Sequence, residues 1–260
     1  MRTNDNPRVS WRKPIGLGAA SLSAMIRNIE SAIMPRNCVF CGIECDAGEA
    51  CCCSGCAEDL PWNELQCARC AESLPAPLPA GINCADCQQR PPPYVAAAAP
   101  LTYTFPVDAA IKALKFRRRL EYGPAFGAML VAMLARLPHD IDAVLPVPLH
   151  WRRQAVRGFN QAHELCRPLR KCTDLPLVPN VSRIRATPRQ SGLSAEQRRR
   201  NLRAAFVVDG RVESRHVLIV DDVITSGATC RQLAQALLRA GAEKVSVVAV
   251  ARALRPARRD

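Results

Sequence analysis

The sequence predicts an α/β protein: an open parallel sheet with helices on both faces, preceded by a small cysteine-rich segment. Three observations predict it. Short apolar runs alternate with amphipathic stretches from residue 101 onward, which is how strands and helices alternate in parallel sheets. One of those runs, residues 217–220, is continuously apolar, as a strand buried on both faces must be. Four C-x-x-C pairs crowd residues 38–87, too little chain to fold on an apolar core of its own.

Taken in order, residues 1–37 form an N-terminal extension. In it Leu22, Met25, Ile26, Ile29 and Ile33 fall on one stripe of a short amphipathic helix. Residues 38–93 hold the cysteine pairs. The run Arg-Pro-Pro-Pro-Tyr-Val-Ala-Ala-Ala-Ala-Pro over 90–100 reads as a semi-rigid linker and a domain boundary. Residues 101–105 alternate as a strand. Helices follow at 107–116, with Ile111, Leu114 and Lys115 a turn apart, and at 124–137; together they suit a cap over the core. Residues 143–147 are a short buried strand. Residues 158–171 are an amphipathic helix with Phe159, Ala162, Cys166 and Leu169 inward. Strands are expected at 178–184, 207–208, 217–220 and 245–251, and a helix at 229–240 stopped by Gly241. The domain of 94–254 ends in a basic tail, 255–260.

No apolar run approaches the ~20 residues of a membrane span. The formal net charge is +13, unevenly spread. Residues 1–93 hold 8 Lys and Arg against 10 Asp and Glu; residues 94–260 hold 28 against 13. The basic surface therefore belongs to the C-terminal part and suits anionic partners, polyphosphorylated metabolites or nucleic acid. A solvated arginine-rich face without a partner is the blander reading.

The chemistry converges on residues 217–229. The apolar strand runs into Asp221 and Asp222, at the carboxyl end where open α/β sheets bind ligands. Thr225, Ser226, Gly227, Ala228 and Thr229 follow as the next helix begins. They offer hydroxyls, a glycine that lets backbone approach a ligand, and free N–H groups, an anion cradle. Two acceptors for sugar hydroxyls thus precede a nest for a phosphate. The Gly-rich motifs of P-loop NTPases and dinucleotide-binding domains are both absent. A receiver-type phosphate-accepting aspartate would lack the Thr/Ser/Gly loop. Two further stretches carry cations toward this end. One is Pro146-Val147-Pro148-Leu149-His150-Trp151-Arg152-Arg153, read as a loop leaving a core strand, in which His150, Arg152 and Arg153 suit a pyrophosphate. The other, 183–203, contains Gln190, Arg199 and Asn201 and a helix capped by Ser194; it reads as a mobile basic lid.

The cysteine pairs are Cys38/Cys41, Cys53/Cys56, Cys67/Cys70 and Cys84/Cys87, separated by 11, 10 and 13 residues. C-x-x-C brings two thiolates from one knuckle to the same ion, and two knuckles complete a tetrahedral site. Eight ligands make two zinc sites, paired sequentially in the simplest arrangement; Cys45, Cys51 and Cys52 lie inside the first ribbon. Reduced thiols indicate a cytoplasmic protein. From 38 to 93 two basic residues face eight acidic ones. That balance repels phosphates, so the zincs are structural and the ribbons suit a protein partner better than nucleic acid.

Residues 221–229 resemble the phosphoribosyl-pyrophosphate (PRPP) motif of type I phosphoribosyltransferases, with Thr225-Ser226-Gly227 where that family usually has Thr-Thr-Gly or Gly-Thr-Gly. Over about residues 35–252 the chain resembles the ComF family, linked with bacterial DNA uptake and competence. The resemblance rests on the four knuckles, Pro-Val-Pro-Leu-His, Arg-Gly-Phe-Asn-Gln-Ala (157–162), Gln-x-Gly-Leu-Ser (190–194), Arg-x-Asn-Leu (199–202) and the 221–229 motif. It implies a double zinc ribbon joined to a type I phosphoribosyltransferase fold that takes PRPP with Mg²⁺. Two functions follow as expectations: transfer of phosphoribosyl from PRPP to an acceptor, or binding of single-stranded DNA on the Arg-rich domain.

Overall fold

The computed structural model describes residues 37–45, 52–79, 81–184 and 205–254. The expected N-terminal helix, Cys51, the lid residues Gln190, Arg199 and Asn201 with the Ser194-capped helix, and the basic tail lie outside them. The chain divides into two compact units, Met1–Asp59 and Leu60–Asp260.

In the first unit, the Cys38/Cys41 knuckle is a tight turn. Cys38 N–H donates to Ile43 O at 2.7 Å, and Gly42, with φ at +78°, returns its N–H to Cys38 O at 2.8 Å. Cys53 opens helix α1 (Ser54–Asp59), which carries Cys56.

The second unit begins with the other two knuckles. Cys67 N–H donates to Glu72 O at 2.8 Å and Ala71 N–H to Cys67 O at 2.9 Å; Cys84 and Cys87 flank the start of helix α2 (Ala85–Gln89). The sheet follows. Strands β1 (Ala96–Ala98), β2 (Leu101–Thr102), β3 (Ala143–Pro146), β6 (His216–Ile224) and β7 (Lys244–Arg252) are all parallel, with β1 and β2 on one side of β7, then β6, then β3. Ala96 pairs with Ser246 and Leu101 with Ala251, the same offset, so β1 and β2 are one edge strand interrupted at Ala99 and Pro100. Residues 96–98 are therefore sheet, not linker: alanines small enough for the buried edge pair where the sequence suggested only proline-rich spacing.

The interruption is sealed from the knuckle side. Ala99 N–H donates to Gln66 Oε1 at 2.9 Å. Ala99 O accepts from Asn63 Nδ2 and Gln66 Nε2, and Ala97 N–H donates to Ala68 O. A buried backbone break requires such partners, and they build the second cysteine cluster into the edge of the sheet.

Helices α3 (Val107–Arg117), α4 (Tyr122–Met133) and α6 (Gln161–Thr173) connect the early strands, and α7 (Ala228–Arg239) connects β6 to β7. Val217, Ile219, Val245, Val247 and Ala249 form one core with Cys230, Leu233, Ala234 and Leu237 of α7. Alternate strand residues point to the other face, where α4 and α6 lie against β7 and β6. Gly127 of α4 lets the two helices pack closely: a Cβ there would lie 2.5 Å from Pro168 Cγ of α6.

Three further expectations need correction. Residues 151–157 are helix α5 (Trp151–Arg157), capped by His150, not loop. Phe159 precedes α6 and is only half-buried, because Asn160 caps that helix and starts it three residues later than the apolar pattern suggested. Strand β4 (Val181–Arg183) is shorter than expected and pairs antiparallel with β5 (Phe206–Val208) instead of joining the parallel ladder. Residues 177–183 meet β3 at the bridge Val144↔Leu177 and the chain beyond β3 at the bridge His150↔Arg183. Between them stand Pro146 and Pro148, which have no N–H to donate.

Candidate functional site

The ladder between β3 and β6 ends at Pro146↔Val220, with Val147 N–H donating to Val220 O at 2.9 Å. β6 continues alone beside β7 for four more residues, Asp221 to Ile224. The crevice opens where β3 turns away, and both acids sit at that point. They lie within the strand, not beyond its end, so both are buried.

Burial sets their chemistry. Asp221 Oδ1 accepts from Asp222 N–H at 2.9 Å. Loss of water, then the neighbouring Asp222 charge, push the Asp221 carboxyl up to about 7, against the pull of Lys115 and Arg183. Asp222 Oδ1 accepts from Lys115 Nζ at 2.7 Å, with the two side chains 5 % and 18 % exposed. Asp222 Oδ2 is buried and has no hydrogen-bond partner among the described residues. A buried, unpartnered carboxylate oxygen is costly until a water, an ion or a ligand donor completes it.

The loop after β6 exposes Thr225 and Ser226. Gly227 takes φ at +72°, which only glycine adopts freely, and caps α7. Ser226 Oγ accepts from Ala228 N–H at 3.4 Å, so the hydroxyls and first helical N–H groups share one small turn. Arg252, 1 % exposed, lies beneath it, donating to Ile224 O at 2.8 Å, to Ala253 O and to Thr225 O, and pairing with Glu72.

The first cationic stretch is more ordered than a loop. His150 is buried, and its Nδ1 accepts from Arg152 N–H at 3.3 Å, so it caps α5. Arg152 lies 5.1 Å over the exposed Trp151 ring; Arg153 is half-buried. Arg183 joins this side to the acids. Burial and the Arg153 charge make its guanidinium easier to deprotonate, and Asp221 opposes them. Beside it, a cleft of about 580 Å³ lies between Pro146, Pro148, Trp151, Asn160, His163 and Arg183.

Lys115, Arg183 and Arg252 are the site residues the sequence did not single out. Lys115 carried a signal: it stands four residues after buried Ile111, on the inward stripe of α3. Arg252 is the last residue of β7, directly after the apolar run 247–251. Arg183 looked like the first residue of a basic loop.

The cysteines gather as Cys38, Cys41, Cys53 and Cys56, and as Cys67, Cys70, Cys84 and Cys87, with the sulfurs of each group within 4.8 Å of one another. Cys41 and Cys53 Sγ are 3.7 Å apart, as are Cys70 and Cys84 Sγ. Tetrahedral Zn–S bonds of about 2.3 Å require sulfurs about 3.8 Å apart, so both donor sets fit zinc. No helix of the described residues is long and apolar enough to cross a membrane.

A parallel sheet whose central strand ends in buried paired acids and a hydroxyl-rich turn defines a domain of the type I phosphoribosyltransferase class, and residues 155–260 match the phosphoribosyl transferase domain family. The DNA utilization protein YhgH of Escherichia coli O157:H7 is 37 % identical over 230 residues, 85 % of this chain and 99 % of that protein. Competence protein F of Haemophilus influenzae is 33 % identical over 180 residues, 66 % of this chain and 79 % of its own. The chain belongs to the ComF family. Among solved structures, glutamine PRPP amidotransferase of Bacillus subtilis aligns with 47 % of this chain and 26 % of its own, at 24 % identity and a TM-score of 0.31.

Proposed function

We propose that this protein binds PRPP with Mg²⁺ at the carboxyl end of β6 and acts in DNA uptake. The observation that carries this reading is the buried Asp221–Asp222 pair, with Asp222 Oδ2 unpartnered, directly before the Thr225–Thr229 turn. The acids hold the ribose hydroxyls. Thr225, Ser226, Gly227, Ala228 and Thr229 hold the 5′-phosphate through hydroxyls and N–H groups. Arg152 and Arg153 meet the pyrophosphate, and His150 fixes the start of their helix. Gln190, Arg199 and Asn201 belong to the loop that closes over the ligand. Mg²⁺ arrives on the pyrophosphate and neutralises part of its charge. If a phosphoribosyl group is transferred, positive charge develops at the anomeric carbon, and buried acids near it stabilise that state. The eight clustered cysteines hold two structural zincs.

Calorimetry with PRPP-Mg²⁺ on wild type and on Asp221→Asn/Asp222→Asn tests the binding site. Tight binding lost in the double variant supports it; equal binding by both overturns it. Pyrophosphate release across bases, amines and nucleic acids then separates a transferase from a binding protein.

A second reading, binding of single-stranded DNA to the Arg-rich domain, draws on the excess of 28 Lys and Arg over 13 Asp and Glu in residues 94–260. The names of the YhgH and competence relatives favour it too. Affinity for an oligonucleotide that falls steeply with salt supports it. Affinity that is absent, or indifferent to salt, does not.

A further inference from the structure

The turn proposed to hold phosphate is not anchored by its own helix alone. Its last strand carbonyl, Ile224 O, and its first loop carbonyl, Thr225 O, both accept from Arg252 Nη1. The other terminal nitrogen of Arg252 pairs with Glu72 Oε2, a side chain 14 % exposed. Glu72 belongs to the Cys67/Cys70 knuckle: its carbonyl accepts from Cys67 N–H at 2.8 Å, and it follows Cys70 by two residues. Tyr94, 1 % exposed, approaches the same turn, its hydroxyl 3.5 Å from where a Cβ on Gly227 would stand. An unbroken chain of contacts therefore runs from Cys67 through Glu72 and Arg252 to Thr225.

A guanidinium this buried needs its carboxylate, because removing one partner of a buried ion pair leaves an uncompensated charge. Glu72 in turn is placed by the knuckle fold, which the Cys67, Cys70, Cys84 and Cys87 donor set suits a metal to hold. We propose that Glu72 and Arg252 are positioning residues that make the shape of the Thr225–Thr229 turn, and hence its affinity for a phosphate, depend on the second cysteine cluster being folded. The phosphate half of this statement rests on the function proposed above; the mechanical half does not.

Hydrogen exchange on the full chain separates the two. With metal bound, Glu72→Gln is isosteric but removes the charge that Arg252 needs. Exchange of the Arg231 and Ala253 amides, which donate to Gly227 O and Ile224 O and so hold the two ends of the turn, should speed by about tenfold or more, while residues 217–220 of β6 keep their protection. A chelator should do the same to wild type and add little to Glu72→Gln, since both act through one chain of contacts. Arg252→Lys, which keeps the charge but not the fork, should behave like Glu72→Gln. Unchanged exchange at Arg231 and Ala253 in Glu72→Gln would overturn the coupling, as would chelator effects that simply add to it. Acceleration spread evenly through β6 would also overturn it, because the pair would then be a general stability element. Ribose 5-phosphate affinity, measured alongside, should fall about tenfold in both variants. Should wild type bind no ribose 5-phosphate while the exchange pattern holds, the coupling stands and the phosphate reading of the turn falls.

Discussion

Lys115 Nζ donates to Asp222 Oδ1 at 2.7 Å, joining residues 107 positions apart in the chain. The ammonium reaches from the end of α3 into the crevice at the end of β6 and supplies positive charge to two adjacent buried carboxylates. Lys115 is one of the groups that hold the Asp221 carboxyl down against burial. Lys115→Met should therefore raise the Asp221 carboxyl above about 7. Binding of PRPP-Mg²⁺, which needs ionised acids, should then shift its pH midpoint upward by about one unit. Calorimetry across pH 6 to about 9 reads this directly. An unmoved midpoint would mean that the ammonium does not set the charge of the pair.

Asp221 itself should be a stability liability. Its ordinary carboxyl value, 3.8, rises to about 7 in the fold, chiefly through burial. Between those values the folded chain holds a proton that the unfolded chain has released. Stability contributed by this group therefore falls as pH rises from about 4 to about 7 and stays lost above. Ligand-free Asp221→Asn should melt higher than wild type at alkaline pH, by about 2–4 °C for each kcal/mol relieved, with the difference closing toward acid pH. The same variant should bind PRPP-Mg²⁺ less well. Lower melting at alkaline pH would show that the carboxylate is stabilised in the fold.

The central elements were legible because their signals are local. Residues 217–220 could only be a doubly buried strand, the acids and turn after it are contiguous, and C-x-x-C spacing reports which thiols can share an ion. What the sequence hid depends on distant partners. Lys115, Arg183 and Arg252 gain meaning only when α3, β4 and β7 bring them around the carboxyl end of β6. The alanines of β1 read as linker because pairing with β7, which supplies their hydrogen bonds, leaves no trace in their composition. The helix α5 was hidden because His150 and Gly158, its cap and its stop, look like ordinary loop residues among arginines.

Gly127 should be the least substitutable helical glycine of the cap. A Cβ would meet Pro168 Cγ at 2.5 Å and Leu165 O at 3.0 Å, so α4 and α6 would have to separate. Gly127→Ala should cost about 1–3 kcal/mol, seen as a lower denaturant midpoint with an unchanged slope. Gly123→Ala, whose Cβ would meet Glu164 Cβ at 3.3 Å, should be nearly neutral, because improved helix propensity offsets mild crowding. Pro168→Ala should rescue Gly127→Ala; two additive losses would place the clash elsewhere.

The two cysteine clusters should differ in what their loss does to the sheet. Cys38, Cys41, Cys53 and Cys56 lie in the Met1–Asp59 unit; Cys67, Cys70, Cys84 and Cys87 lie in the unit that contains β1 to β7. The second cluster also seals the interrupted edge strand, through Ala68 O, Asn63 and Gln66. Cys41→Ser and Cys70→Ser should each release about one of two zincs, measured by metal analysis of purified protein. Their thermal transitions should separate. Cys70→Ser should lower the melting of the sheet, by about 2–4 °C for each kcal/mol of lost folding energy, because Ala97 and Ala99 lose the partners that satisfy their backbone. Cys41→Ser should leave the sheet transition and PRPP binding in place. Equal losses would mean that the first cluster also supports the sheet, and the division of the chain after Asp59 would not be a division of stability.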